Sequence, residues 1–269
     1  MDQTALLSNT MLLSQMDQDG VLHLTLNHPA ARNALSLEMI TRLQEAFDAA
    51  AKDPKARVII LKGVGSVFCS GHDLKEMTAH RQDPDGGKGF YEQLFARCSD
   101  LMQAIVHHPL PVIAQIEGLA TAAGCQLVAS CDLALATPEA RFATPGVNLG
   151  LFCSTPMVAL SRTVGRKQAM EMLLTGDMSG ADEALRIGLI NRIVPADQIE
   201  AQSLALAQKI ASKARATLQV GKQAFYQQVE MPLNAAYDLA SQVMTLNMLG
   251  PEAEEGIGAF LAKRPPDWP

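Results

Sequence analysis

Ser70, His72 and Asp73 stand within four consecutive positions, and a hydroxyl, an imidazole and a carboxylate are the parts of a nucleophilic relay. Such relays are set by three-dimensional geometry, and side chains this close in sequence rarely align as nucleophile, base and orienting acid. No G-x-S-x-G elbow accompanies them. His107-His108 lacks the H-E-x-x-H spacing of a helix-borne metal site, and Gly86-Gly87-Lys88 lacks the rest of a phosphate loop. The five cysteines, Cys69, Cys98, Cys125, Cys131 and Cys153, are odd in number and form no C-x-x-C pair. That argues against a disulfide framework or a bound metal and for reduced thiols in a cytoplasmic setting. Cys153 could serve as a nucleophile if its pKa were lowered; its other reading is a small buried hydrophobe.

The 269 residues are 48% hydrophobic and 19% charged, which suits a globular chain with a sizeable core. The net charge of −6 argues against a nucleic-acid partner, which would need a basic face. The first basic residue apart from histidine is Arg32, later than a presequence or signal peptide would place it, so a cytoplasmic location is expected. No apolar run approaches the length of a membrane span.

These residues need a scaffold, and the chain alternates strand and helix patterns. Val21–Leu26 alternates apolar and polar residues and predicts a strand. Ser36 reads as an N-cap ahead of Met39, Ile40, Leu43, Ala46 and Phe47 at helical spacing. Val58–Leu61 is an apolar run suited to a buried strand, and Gly63 to Gly71 turns the chain. Phe90 to Ile105 is periodic, Val112–Ile116 and Leu133–Ala136 read as strands, and Ala122 to Ser130 as a helix. Such alternation argues for an α/β fold with parallel strands. Helical patterns alone follow residue 197, over Gln198–Ser212, Ala214–Gln228, Asn234–Leu249 and about Glu252 to Ala262. The expected organisation is a loose N-terminus (1–17), an α/β core (18–197) and a C-terminal helical region (198–269).

Five segments in order, His28–Ser36, Val67–Met77, Pro111–Ala136, Phe142–Pro156 and Leu173–Val194, resemble the enoyl-CoA hydratase/isomerase (crotonase) superfamily. The likeness spans roughly residues 20–265 and is nearest to mitochondrial-type enoyl-CoA hydratase domain-containing proteins, which share the forms GLATAAGCQLVASCD and FATPGVN-x-GLFCSTP. It implies a crotonase-like spiral of ββα units. A C-terminal helical region would mediate trimers or dimers of trimers. It also implies an acyl-CoA thioester ligand, with coenzyme A as part of the substrate and no tightly bound cofactor.

Position by position, the resemblance implies that the backbone N–H groups of His72 and Ala123 form an oxyanion hole. A thioester's α-proton leaves, or its β-carbon takes up water, only if charge can build on the carbonyl oxygen, and fixed donors meet that need. Ala122-Ala123-Gly124 replaces the usual three glycines, and alanine disfavours positive φ; the hole should survive if Ala123 is helical or extended. The two hydratase glutamates fall at Gln126 and Gly146, and a third acidic position of some relatives at Ser154, so strong acid–base groups are missing. Gln126 and Asn148 could orient a water; Gln126 also reads as an ordinary helical polar residue, and Ser154 as a helix cap. Restoring both glutamates is expected to raise hydration.

Arg32, Ser70, Asp73, Leu74 and Lys75 match residues that approach coenzyme A in relatives. Phe260 and Lys263 match residues near the nucleotide of a neighbouring subunit. Solvated charge, a surface ion pair or simple packing are the plainer roles of Arg32, Lys75, Phe260 and Lys263, and turn or cap duty that of Asp73 and Asp132. The expected function is thus acyl-CoA hydratase or isomerase chemistry in fatty-acid metabolism. A non-catalytic acyl-CoA binder stands as the alternative, and a hydrolase using water or Cys153 comes third.

Overall fold

The computed structural model describes residues 10–269. Two sheets share the strands in alternation. The larger has the order β1-β2-β3-β5-β7-β10, from β1 (Leu12–Met16), β2 (Val21–Leu26), β3 (Val58–Gly63), β5 (Val112–Ile116), β7 (Leu133–Ala136) and β10 (Arg192–Ile193). The smaller has the order β4-β6-β8-β9, from β4 (Val67–Cys69), β6 (Leu119–Thr121), β8 (Arg141–Ala143) and β9 (Ser179–Gly180). From β3 to β8 the chain lays one strand in the large sheet and the next in the small one, and returns through helices after β4 and β6. This is the crotonase spiral. Apart from the β1–β2 and β8–β9 pairs, which are antiparallel, neighbouring strands run parallel.

The continuous apolar run of β3 is explained by burial on both faces. Ile59 and Leu61 point into the main core with Leu24, Phe47, Phe68 and Phe142. Val58 and Ile60 point the other way, against Val21, Ile113, Leu135 and Ile199. Helix α1 (Leu37–Lys52) begins where Ser36 Oγ accepts the Met39 N–H, and it buries Met39, Ile40, Leu43 and Phe47. Next come α2 (Leu74–Ala79), α3 (Lys88–Val106), α4 (Ala123–Ser130), α5 (Ser154–Thr163), α6 (Arg166–Thr175) and α7 (Ala181–Arg186). The C-terminal helices are α8 (Ile199–Ala211), α9 (Arg215–Gln228), α10 (Leu233–Met248) and α11 (Pro251–Leu261).

Two features depart from the sequence reading and a third adds to it. Part of the segment expected to be loose is the strand β1, in register with β2 from Leu12 opposite Leu26 to Met16 opposite Leu22; positions 1–9 lie outside the described residues. The strands β4, β6 and β8 have three residues each, too few for a two-residue alternation to stand out. The helical region is anchored, because Lys222 of α9 donates to Ile105 O, Leu110 O and Asp132 Oδ2, and Tyr226 to Asp132 Oδ1. Among the described residues no helix is long and apolar enough to cross a membrane.

Candidate functional site

Strands β4 and β6 pair with Val67 opposite Leu119 and Cys69 opposite Ala120, so the residues after each strand emerge side by side. Thr121 Oγ1 donates to Ser70 O at 3.1 Å, and the Ser70 N–H donates to Arg32 O at 3.2 Å. Gly71 has φ +91°, and a Cβ there would stand 2.8 Å from Ala122 Cβ and 3.2 Å from the Ala123 nitrogen. Only glycine fits this approach. It packs the chain at position 71 against the Ala123 amide, and the His72 amide is the next nitrogen along. Ala123 opens α4, so its N–H is one of the orphan donors of a helix N-terminus, where the helix dipole favours negative charge. Among the described residues neither amide donates to a carbonyl of a turn, loop or cap. Backbone N–H groups of this kind are the donor type that a developing oxyanion needs.

Ala123 is helical, and the strain falls one residue earlier. Ala122 has φ 51° and ψ −121°, a region that glycine favours. Gly124 lets α4 come down on β4, since a Cβ there would collide with Cys69 O.

The His72 imidazole does other work. Its Nδ1 lies 3.2 Å from Leu35 O, its ring meets Phe95 edge-on at 5.5 Å, and burial lowers its pKa. The Asp73 carboxylate caps α2 by accepting from Lys75 N at 2.8 Å and Glu76 N at 3.2 Å. Ser70, His72 and Asp73 are therefore no relay, and the Asp73 side chain is a cap with its carboxylate already engaged.

Gln126 lies one turn into α4 from Ala123, on a neighbouring position of the same face. It is buried, and its Oε1 has no hydrogen-bond partner. Gly146 sits in a 3₁₀ turn (Pro145–Leu149) onto which the next loop folds. Leu151 N donates to Gly146 O at 2.9 Å. A Cβ on Gly146 would stand 2.8 Å from both Cys153 Sγ and Leu151 O. Burial raises the Cys153 pKa, with the Gly146 N–H pulling the other way, so the thiol is not activated. Two other residues expected at the site are exposed. Ser154 is exposed, follows the N-cap of α5 and turns its hydroxyl back to Phe152 O. Asn148 is exposed and its amide lies against the Gly176 turn.

Residues 16–269 match the enoyl-CoA hydratase/isomerase family. The chain belongs to that family. It is 48% identical to mouse (Mus musculus) enoyl-CoA hydratase domain-containing protein 3, mitochondrial, over 97% of this chain and 85% of that protein. It is 37% identical to the 2,3-dehydroadipyl-CoA hydratase of Escherichia coli, over 93% of this chain and 96% of the enzyme. A crystal structure of an enoyl-CoA hydratase of Mycobacterium smegmatis superposes with a TM-score of 0.92 at 52% identity, covering 97% of this chain and 99% of that one. The cytoplasmic expectation is overturned here, because the curated relatives at 48% identity are mitochondrial proteins.

The two positions matched to the hydratase glutamates carry an amide, Gln126, and no side chain, Gly146. The residues matched to coenzyme A separate into two groups. Arg32 is exposed, in a left-handed conformation, and its carbonyl holds the Ser70 N–H; Leu74 and Lys75 are exposed at the start of α2. Arg32, Ser70, Leu74 and Lys75 thus flank the amide pair. Phe260 and Lys263 stand at the end of α11, which packs on α10, and both are exposed.

Two supporting residues escaped the sequence reading. Asn33 is fully buried with φ 52°; its Oδ1 accepts His28 N–H at 2.8 Å and its Nδ2 donates to Val64 O at 3.0 Å and Val67 O at 2.7 Å. Asparagine tolerates this conformation, which was the available signal. Thr121 fastens the two strand ends together, and nothing in its sequence neighbourhood marks that role.

Proposed function

We propose that this family member binds an acyl-CoA thioester and stabilises its enolate through the backbone N–H groups of His72 and Ala123. The close approach of Gly71 to the Ala123 nitrogen carries the reading. Such donors act because they are fixed before charge develops; losing one costs roughly 100- to 1000-fold in rate in enzymes that rely on them. Arg32 and Lys75 meet the coenzyme A phosphates from the surface beside the amides, and coenzyme A enters as part of the substrate. The metabolic setting is acyl-CoA, including fatty-acyl-CoA, metabolism.

Hydration in this reading is slow, because neither 126 nor 146 offers a group that exchanges a proton near neutral pH. A second reading, a binder that holds the thioester without turnover, is favoured by the filled space at Gly146. Calorimetry with crotonyl-CoA together with loss of its enoyl absorbance separates the two. Turnover above background that a non-hydrolysable acyl-CoA blocks supports the enzyme. Binding without turnover supports the binder, and no binding removes both.

We also propose a homotrimer or dimer of trimers. Leu233, Tyr237, Leu249, Phe260 and Leu261 leave a broad apolar face exposed on the C-terminal helices, and a second copy would cover it. Sedimentation equilibrium giving a monomer at micromolar concentration would remove this assembly.

A further inference from the structure

We infer that the His72 imidazole is a positioning group for its own main-chain N–H, because it clamps residue 72 to Leu35, the residue that sets the orientation of the Gly71–His72 peptide. This rests on the oxyanion reading above and goes on to name the side chain that holds one of its donors. The orientation follows from a single peptide plane. The Leu35 N–H donates to Gly71 O at 2.8 Å. The Gly71 C=O and the His72 N–H belong to the same trans peptide unit and point in opposite directions. With that carbonyl turned to Leu35, the His72 N–H is turned away from Leu35. Among the described residues it donates to no carbonyl of a turn, loop or cap.

The imidazole supplies a second point of attachment. Its Nδ1 lies 3.2 Å from Leu35 O. A carbonyl oxygen only accepts, so Nδ1 carries the proton and Nε2 is bare. Nε2 is buried without a partner, so nothing holds the ring by a hydrogen bond from its far end. Leu35 therefore spends its N–H on residue 71 and its C=O on the side chain of residue 72, and Leu35 and His72 pair as an isolated parallel bridge. The clamp is itself anchored. Leu35 is fully buried, and the Asn33 side chain two residues earlier bonds to His28 N, Val64 O and Val67 O. Without the ring, the Gly71 carbonyl bond alone sets the peptide plane, and the plane can rock about it. Fixed donors stabilise charge because they do not reorganise as it develops, and a rocking N–H gives up part of that effect.

The test titrates the full chain with acetoacetyl-CoA, whose enolate has its own ultraviolet band, and with butyryl-CoA, which forms no stable enolate. The variants are His72→Leu, His72→Gln and His72→Asn. Asparagine places its amide nitrogen where Nδ1 stands, glutamine places it nearer Nε2, and leucine has none. The wild type should bind acetoacetyl-CoA as the enolate at neutral pH. In His72→Leu and His72→Gln the affinity for acetoacetyl-CoA relative to butyryl-CoA should fall roughly three- to tenfold, the range of a neutral hydrogen bond, and the enolate band should shrink with it. His72→Asn should recover most of the ratio. A site that is merely loosened loses both thioesters together, so an unchanged ratio in a folded His72→Leu overturns the inference. His72→Asn as impaired as His72→Leu also overturns it. Imidazole nitrogen NMR shifts of the wild type should show a protonated Nδ1 and a bare Nε2, and the opposite tautomer overturns the clamp whatever the variants do. A wild type that binds neither thioester, or binds acetoacetyl-CoA without the enolate band, removes the oxyanion reading itself.

Discussion

Cys153 Sγ lies 2.8 Å from the point where a Cβ on Gly146 would stand, and Leu151 O lies at the same distance on another side. A thiol and a main-chain carbonyl thus fill the space in which a side chain at 146 would have to begin. The sequence expectation that Gln126→Glu with Gly146→Glu raises hydration meets this obstacle directly. The main-chain contact cannot rotate away, so Gly146→Ala should lower stability by about 1–3 kcal/mol, as overpacking does. Gly146→Glu should cost at least as much, and the double variant should show no gain in crotonyl-CoA hydration. Urea denaturation with a parallel hydration assay is the measurement; a stable double variant with raised hydration would show that the 151–153 loop yields easily.

Strain at Ala122 gives a prediction of opposite sign. A non-glycine residue held at φ 51° and ψ −121° costs on the order of 1–3 kcal/mol. Glycine removes that cost but adds about 0.5–1 kcal/mol of unfolded-chain entropy. Ala122→Gly should therefore be neutral to stabilising by about 1–2 kcal/mol, where an ordinary Ala-to-Gly change destabilises. A loss of stability on chemical denaturation would mean that the methyl contact with Gly71 matters more than the backbone.

These two positions also show what the sequence could and could not disclose. The close approach of Gly71 to Ala123 joins two segments, Val67–Met77 and the small residues at the start of α4, whose patterns stood out in the sequence. The long strands β2, β3, β5 and β7 were legible because burial leaves alternating or continuous apolar runs. The filling of Gly146 was not legible, because it depends on a loop folding back across five to seven residues, and glycine gives no sign of what sits beside it. Nor were the exposures of Ser154 and Asn148, which share a segment with Gly146. Sequence order placed the lost acid positions; only packing distinguishes an empty place from a filled one.

Acid should destabilise the fold through two imidazoles, the buried His108 and the half-buried His72. His108 accepts the Leu110 N–H at its Nδ1 and donates from Nε2 to Phe47 O, an arrangement that requires the neutral ring. Burial lowers its pKa from 6.5, and burial lowers that of His72 as well. The unfolded chain then binds more protons than the folded one wherever the pH lies between the folded and unfolded values, and stability rises with pH there. The contribution is complete above about pH 6.5 and is lost as pH falls below it. Unfolding free energy measured by urea titration should therefore decline from about pH 7 to pH 5, and His108→Gln should flatten part of that slope. A wild-type slope unchanged by the substitution would assign the acid sensitivity to other groups.

Lys222 ties the C-terminal helix α9 to the spiral through a buried ion pair. Its ammonium is 2.7 Å from Asp132 Oδ2 and its side chain is 7% exposed, against 17% for Asp132. Burial lowers the lysine pKa, and Asp132 opposes that by favouring the charged form. The Asp132 carboxylate also accepts the Val112 N–H at 2.7 Å and the Tyr226 hydroxyl at 2.9 Å. Removing only the cation leaves this carboxylate buried with two neutral donors, and breaking a buried pair in this way costs about 3–5 kcal/mol. Lys222→Met should cost that much and should expose α9 to proteolysis before the core unfolds. Lys222→Met combined with Asp132→Asn should recover part of the loss, because the second change removes the uncompensated charge while the new amide oxygen can still accept the Val112 N–H. If the double variant is no more stable than Lys222→Met, the three bonds from Lys222 to Ile105, Leu110 and Asp132 matter for their geometry and not for charge balance.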